Sequence, residues 1–295
     1  MSLPPPASTD QAYCEISAID SGHIYGALLR PLVDVAEEDE RANVPCLAFL
    51  LRHSRTGDPF LFDLGIRPDP ENLTGAGARI TQMGMTVEGR DVPAALEAGG
   101  LARAAVKHVA LSHIHYDHTG VPRAFPAATF LLGARARPLI ERLGPAFAGT
   151  IYAVDVPPER TAFLDPADAG WGPVGPFPRA LDFYGDGSLY VVDAPGHMPG
   201  HLNVLARTSA DGGWAFLAAD SAHDWRLLTG GATVGHHHKW GCGHEDPAGA
   251  QETIERIKAL MGYPRVRVLI AHDIPFVDAN AAEGRGYWPD MIESL

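Results

Sequence analysis

The chain has 295 residues, 46% of them hydrophobic and 20% charged, and its 23 basic against 36 acidic side chains leave a formal net charge of −13. Length and apolar content are those of a globular protein that buries a substantial core without disulfide staples. The acidic balance repels phosphate and no segregated basic face offsets it, which argues against nucleic acid as a partner.

Residues 1–12, with three consecutive prolines and polar filler, read as a disordered tail ahead of a single domain over 13–295. No basic segment leads into an apolar stretch as in a secretory signal. No run approaches the ~20 apolar residues that span a bilayer, so a cytoplasmic protein without a membrane partner is expected. The apolar runs 46–51 and 59–65 flank a turn at 54–58 and predict two strands. Helical pieces are expected near 91–100 and 134–143, and an irregular loop over the Gly/Pro-rich stretch 165–178. Two hairpins follow, 181–184 with 188–193 and 203–207 with 214–219, each across a Gly/Asp turn. Asp246 and Pro247 open a helix that carries Ala250, Ile254, Ile257 and Met261 on one face, ends at Gly262 and leads into a strand at 266–270. Strands and helices alternate without regular βαβ spacing, which gives an α/β class. Cys14, Cys46 and Cys242 are far apart and odd in number, as expected of buried or idle thiols.

Fourteen histidines are many for this length, and their placement points to chemistry. An apolar strand runs into His113-x-His115-x-Asp117-His118. Positions two apart on an extended segment project to one side, so His113 and His115 can converge on one metal ion, while Asp117 and His118 can face a second. Further on, His197 sits in the turn Gly196-His197-Met198-Pro199-Gly200-His201, Asp220 ends one apolar strand and His272 ends another.

This ordered set resembles the metallo-β-lactamase superfamily of metallohydrolases from about Phe60 to Phe276. The resemblance implies a four-layer αββα sandwich with the metal site at one edge. It implies one ion on His113, His115 and His197, the other on Asp117, His118 and His272, and Asp220 bridging both, while His201 stays structural. Nitrogen and carboxylate donors suit two divalent ions, zinc first, with iron, manganese or cobalt also accommodated. Asp220 stands where class B1 β-lactamases have cysteine, which points away from lactams, and His115 replaces the glutamate of flavodiiron enzymes, which points away from redox chemistry. The short chain beyond His272 leaves no room for the appended regions of glyoxalase II or of nuclease relatives.

Two such ions would lower the pKa of a shared water from about 15.7 towards ~7 and so supply hydroxide for attack on a carbonyl at neutral pH. Asp117 is then the candidate proton carrier to the leaving group. Asp63 either orients a ligand histidine or is an ordinary strand-end carboxylate. In substrate class the set is closest to the quorum-quenching N-acyl-homoserine lactonases, so a small-molecule lactone or carboxylic ester is expected. Where those enzymes carry tyrosine three residues after the bridging aspartate this chain has His223, a candidate hydrogen-bond donor. The run His236-His237-His238 and the aromatics Trp171, Phe177, Trp225 and Trp240 are equally consistent with pocket lining and with ordinary loop packing. Phosphotriester or phosphodiester hydrolysis, and a non-catalytic metal-containing binding protein, are the alternatives. Nothing in the sequence sets an oligomeric state.

Overall fold

The structure, a computed structural model, describes residues 4–73, 75–143 and 150–295. The first of two sheets contains β1 (Cys14–Leu28), β2 (Arg41–His53), β3 (Pro59–Phe62), β4 (Thr86–Gly89), β5 (His108–Ala110), β6 (Thr129–Gly133) and β7 (Thr161–Leu164), in the order β4-β1-β2-β3-β5-β6-β7. The second contains β8 (Trp171–Val174), β9 (Phe177–Asp182), β10 (Leu189–Asp193), β11 (Leu202–Arg207), β12 (Trp214–Leu217) and β13 (Val266–Leu269), in the order β13-β12-β11-β10-β9-β8. The α-helices among the described residues are α1 (Ala76–Gln82), α2 (Val92–Ala98), α3 (Tyr116–Thr119), α4 (Arg137–Leu143), α5 (Arg226–Thr229), α6 (Pro247–Met261) and α7 (Ile274–Asn280). No helix among the described residues is long and apolar enough to cross a membrane.

Both sheets are covered on both faces, which explains why their central strands are apolar throughout rather than alternating. Along β2, Leu47, Phe49 and Leu51 enter the core between the sheets, whereas Ala48 and Leu50 face outward to Val92 and Leu96 of α2. In the second sheet Val204, Ala206, Ala215 and Leu217 face inward, and Leu205 and Phe216 pack on Ile254, Ile257 and Leu260 of α6. The result is four layers, αββα. Helix α6 starts as its sequence predicts, with the Asp246 carboxylate accepting the Gly249 amide at 3.0 Å.

The stretch 165–178, expected to be irregular, instead contains β8 and the start of β9, which pair antiparallel across Gly175 at φ 52°. Trp171, Val174 and Phe177 are buried there, so apolar burial overrides the Gly/Pro-rich composition. Of the segment expected to form a tail, 1–3 lie outside the described residues. The Pro5 and Pro6 carbonyls accept from the buried guanidinium of Arg207.

Topology brings strand ends to one edge. Strands β3, β5 and β6 run parallel, so the segments after β3 and β5 leave the first sheet on the same side. Both β10 and β12 are antiparallel to β11, and β13 is parallel to β12, so the loops after β10, β12 and β13 leave the second sheet together.

Candidate metal centre

Each strand end delivers one part of the site. Beyond β5 the chain stays extended, so His113 and His115 project to the same side while Ile114 between them enters the outer core. The single turn α3 then turns Asp117 and His118 inward. His113 Nε2 lies 2.9 Å from His115 Nδ1, and His197 Nε2 lies 3.2 Å from the former and 3.0 Å from the latter. Asp220 Oδ2 stands 3.7 Å from His113 Nε2 and 3.5 Å from His197 Nε2. The other oxygen, Asp220 Oδ1, is 3.2 Å from His118 Nε2 and 3.5 Å from His272 Nε2. Asp117 Oδ2 closes this second group at 3.8 Å from His118 Nε2 and 3.6 Å from His272 Nε2. All seven side chains are buried. The structure thus brings the seven residues of the sequence analysis into two four-donor groups that share Asp220.

The outward-facing atoms fix which way the imidazoles present their lone pairs. Asp63 sits at φ 62°, a conformation uncommon for a residue other than glycine, and its Oδ1 accepts the Ser112 amide at 2.7 Å. Its Oδ2 accepts the Ser112 hydroxyl at 2.7 Å and His118 Nδ1–H at 2.8 Å. Because the Ser112 proton is given to Asp63, Ser112 Oγ is left to accept from His113 Nδ1 at 2.9 Å. His272 Nδ1–H donates to the Pro45 carbonyl at 2.7 Å. In all three rings Nδ1 therefore carries a proton, and Nε2 is the atom that points into the centre.

His118 Nε2 and Asp220 Oδ1 are buried without a hydrogen bond. Four nitrogen or oxygen donors about 2.05 Å from one tetrahedral ion lie about 3.3 Å apart, close to the spacings within the first group. Electrostatics agree. Burial keeps His113 and His197 well below the usual histidine range and pushes His115 down to about 3, so these three are neutral donors. Burial also opposes charge on His118 and His272, yet the Asp220 carboxylate foremost outweighs it and holds both well above that range. At Asp220 burial raises the pKa, but the His118, His223 and His272 imidazoles prevail and hold it well below the carboxylate range. Buried carboxylates thus draw positive charge onto the second group. The donor set fits divalent cations.

Two cavities among the described residues open onto this centre. One, of 140 Å³, is lined by Ile24, Leu28, Leu29, Val44, Met83 and Met85 and reaches Asp117, Asp220, His223 and His272. The other, of 300 Å³, is lined by Arg79, Tyr152, Trp240, His244 and Glu245 and reaches His115 and His197. His223 stands with Nε2 3.0 Å from Asp220 Oδ2 and with Nδ1 unpartnered. The 236–238 run lines neither cavity. His237 Nδ1 accepts the amides of Lys239 and Trp240, and His238 bonds Glu38, which pins the loop to the segment after β1. Of the four aromatics, Trp240 lines a cavity, Trp171 and Phe177 pack in the cores, and Trp225 Nε1 donates to Asp273 at 2.9 Å. His244, not singled out from the sequence, lies beside His197 and His223. Buried Cys14, its thiol pushed up to about 12 by burial, is idle.

The turn that carries His197 depends on glycine at both ends. Gly196 has φ 132°, and a Cβ there would sit 2.1 Å from the Ala250 amide nitrogen in the first turn of α6. Gly200, at φ 80°, would drive a Cβ to 2.7 Å from the Ala136 nitrogen. Gly196→Ala should therefore cost about 2–3 kcal/mol in urea unfolding and lower metal retention by moving His197. Unchanged unfolding midpoint and metal content would refute that account of the turn.

Residues 41–213 match the Metallo-beta-lactamase superfamily. Gamma-lactamase FDB1 from Fusarium pseudograminearum is 32% identical over 247 residues, 75% of this chain and 56% of its own length. N-acyl homoserine lactonase AttM from Azorhizobium caulinodans is 37% identical over 134 residues, 44% of this chain and 46% of its own. The chain thus spans about half the length of these curated relatives. Among solved structures, a quorum-quenching N-acyl homoserine lactone hydrolase shares the fold with a TM-score of 0.66 at 14% identity, over 98% of this chain and 100% of that one. With the strand-end histidines and aspartates gathered at one edge of an αββα sandwich, and with more than half of its length matched, the chain belongs to the metallo-β-lactamase superfamily.

Proposed function

We propose that the chain is a dinuclear metal-dependent hydrolase that opens a lactone or cleaves a carboxylic ester, on the pattern of the N-acyl homoserine lactonases. The observation that carries this reading is the division of Asp220, whose two oxygens face two separate donor groups. His113, His115 and His197 would hold one cation, Asp117, His118 and His272 the other, and Asp220 both. Bound there, two divalent ions, zinc foremost, would supply a Lewis acid for the carbonyl and acidify water at neutral pH.

The protein's own groups do the rest. The apolar walls of the 140 Å³ cavity take the acyl substituent and keep bulk water from the reacting carbonyl. Asp117, its pKa lifted by burial, lines that cavity and is assigned the transfer of a proton from the attacking water to the leaving alkoxide. His223, on the same wall, carries its ring proton on Nε2, 3.0 Å from Asp220 Oδ2, and is assigned the hydrogen bond to the carbonyl oxygen through that N–H.

A second reading, opening of a γ-lactam, draws support from the Fusarium relative. It demands more of Asp117, because an amide nitrogen must be protonated before it leaves. Protein loaded with zinc or manganese should bind two equivalents of metal and turn over members of a panel of lactones, γ-lactams, aryl esters, thioesters and phosphotriesters. Silence on every lactone and carboxylic ester would sink the first reading. Activity confined to lactams would establish the second, and fewer than one ion per chain would remove the dinuclear site.

A further inference from the structure

His244 is an imidazole with nothing to bond. It is 3% exposed, and neither Nδ1 nor Nε2 has a hydrogen-bond partner among the described residues. Buried polar groups are costly to leave unpaired, and a neutral imidazole has one donor and one acceptor to satisfy. Its position is not accidental slack. The His244 amide contacts Cys242 Sγ at 3.3 Å, and the flanking Gly243 amide donates to the Pro31 carbonyl at 2.8 Å. On the other side Glu245 N–H donates to the His197 carbonyl and Asp246 N–H to the Gly196 carbonyl, both at 2.9 Å. The segment is thereby laced onto the turn that bears His197, and the ring stands 5.1 Å, centroid to centroid, from both His197 and His223. It forms part of the wall of the 300 Å³ cavity, whose other walls include Arg79, Tyr152, Trp240 and Glu245. The adjoining 140 Å³ cavity, which shares Pro31, Met83 and Ile151 with it, is mainly apolar apart from the donor groups themselves and His223.

We propose that His244 is a substrate-contacting specificity residue, which hydrogen-bonds an amide or hydroxyl group next to the scissile carbonyl while the apolar cavity holds the hydrocarbon arm. The proposal rests on the hydrolase reading above. It gives the substrate class a second requirement: one hydrocarbon arm and one hydrogen-bonding group flanking the reacting centre. A site with a preorganised buried donor and acceptor discriminates strongly against an analogue that lacks the matching group.

The test compares wild type, His244→Phe and His244→Asn on two α-substituted γ-butyrolactones, one bearing a hexanoylamino group and the other a heptyl group, and on the corresponding γ-lactams. Metal content is measured on each protein. In wild type the amide-bearing compound is preferred. The ratio of kcat/KM for the amide compound over the alkyl compound should fall about 10–100-fold in His244→Phe, chiefly through KM, and be largely restored in His244→Asn. Metal content should stay equal in all three. A ratio within about 2-fold of wild type in His244→Phe, or a loss that tracks metal content, would overturn the role of His244 and leave the hydrolase reading standing. A wild type that opens the lactams and neither lactone would overturn the lactone reading, with the ratio then read on the lactams. A wild type inert on all four compounds would overturn the role of His244, while the hydrolase reading would fall only with silence across the whole ester and lactone panel.

Discussion

Asp220→Asn should abolish turnover and lower bound metal below two equivalents while leaving secondary structure intact. The substitution is isosteric, so packing around the side chain is unchanged. It removes the charge that faces His118 and His272 through Oδ1 and His113 and His197 through Oδ2. An amide offers one acceptor oxygen instead of two and turns a donor nitrogen towards ring nitrogens that present lone pairs, so one donor group loses its carboxylate and meets an N–H in its place. Losing one member of a buried charge cluster leaves the others uncompensated, at a cost of about 3–5 kcal/mol, which under the proposed dinuclear site would fall on metal affinity. We expect kcat/KM to fall at least ~10³-fold, read in steady-state assays beside metal analysis and circular dichroism. A variant that retains two ions and activity within about tenfold of wild type would contradict the shared role of Asp220.

Much of this was legible in the sequence because the informative residues are close together or sit at strand ends. The spacing of His113, His115, Asp117 and His118 fixes their sides on an extended segment and one following turn, and the structure places them on those sides. His197, Asp220 and His272 each follow an apolar strand, and the family resemblance supplied the order in which such strands lie. What stayed hidden is non-local or conformational. His244 carries no motif and reaches the centre only because 245–246 pairs with 196–197, a contact across nearly fifty residues. The left-handed backbone at Ala219, which precedes Asp220, has no signature in residue type, and at Asp63 aspartate gives only a weak one. Composition misled at 165–178 because glycine and proline outnumber the three buried side chains that pull β8 into the sheet.

Asp63 was ambiguous for a different reason: a strand-end aspartate is common, and only its partners decide its role. Those partners give a sharp expectation for Asp63→Asn. An asparagine tolerates φ 62° and can still accept the Ser112 amide through its oxygen, so the turn survives. Its NH2 would then replace Oδ2 and face the Ser112 hydroxyl and His118 Nδ1, where the wild type presents an acceptor to both. Two donors cannot share one bond, so His118 must move its proton to Nε2, the atom aimed at Asp220, and the Ser112 hydroxyl must turn away from position 63. Once Ser112 Oγ donates elsewhere, its hold on His113 Nδ1 is altered as well. One isosteric change therefore disturbs one ring in each donor group without touching a proposed ligand. Loss of such an outer partner lowers metal affinity about 10–100-fold. The wrong tautomer adds a kinetic penalty, so kcat should fall further than metal loss explains when assays are run at saturating zinc. Nitrogen-15 spectra of ring-labelled histidine should show the His118 proton transferred from Nδ1 to Nε2. An unchanged His118 tautomer with wild-type zinc affinity would mean that Asp63 only shapes the turn.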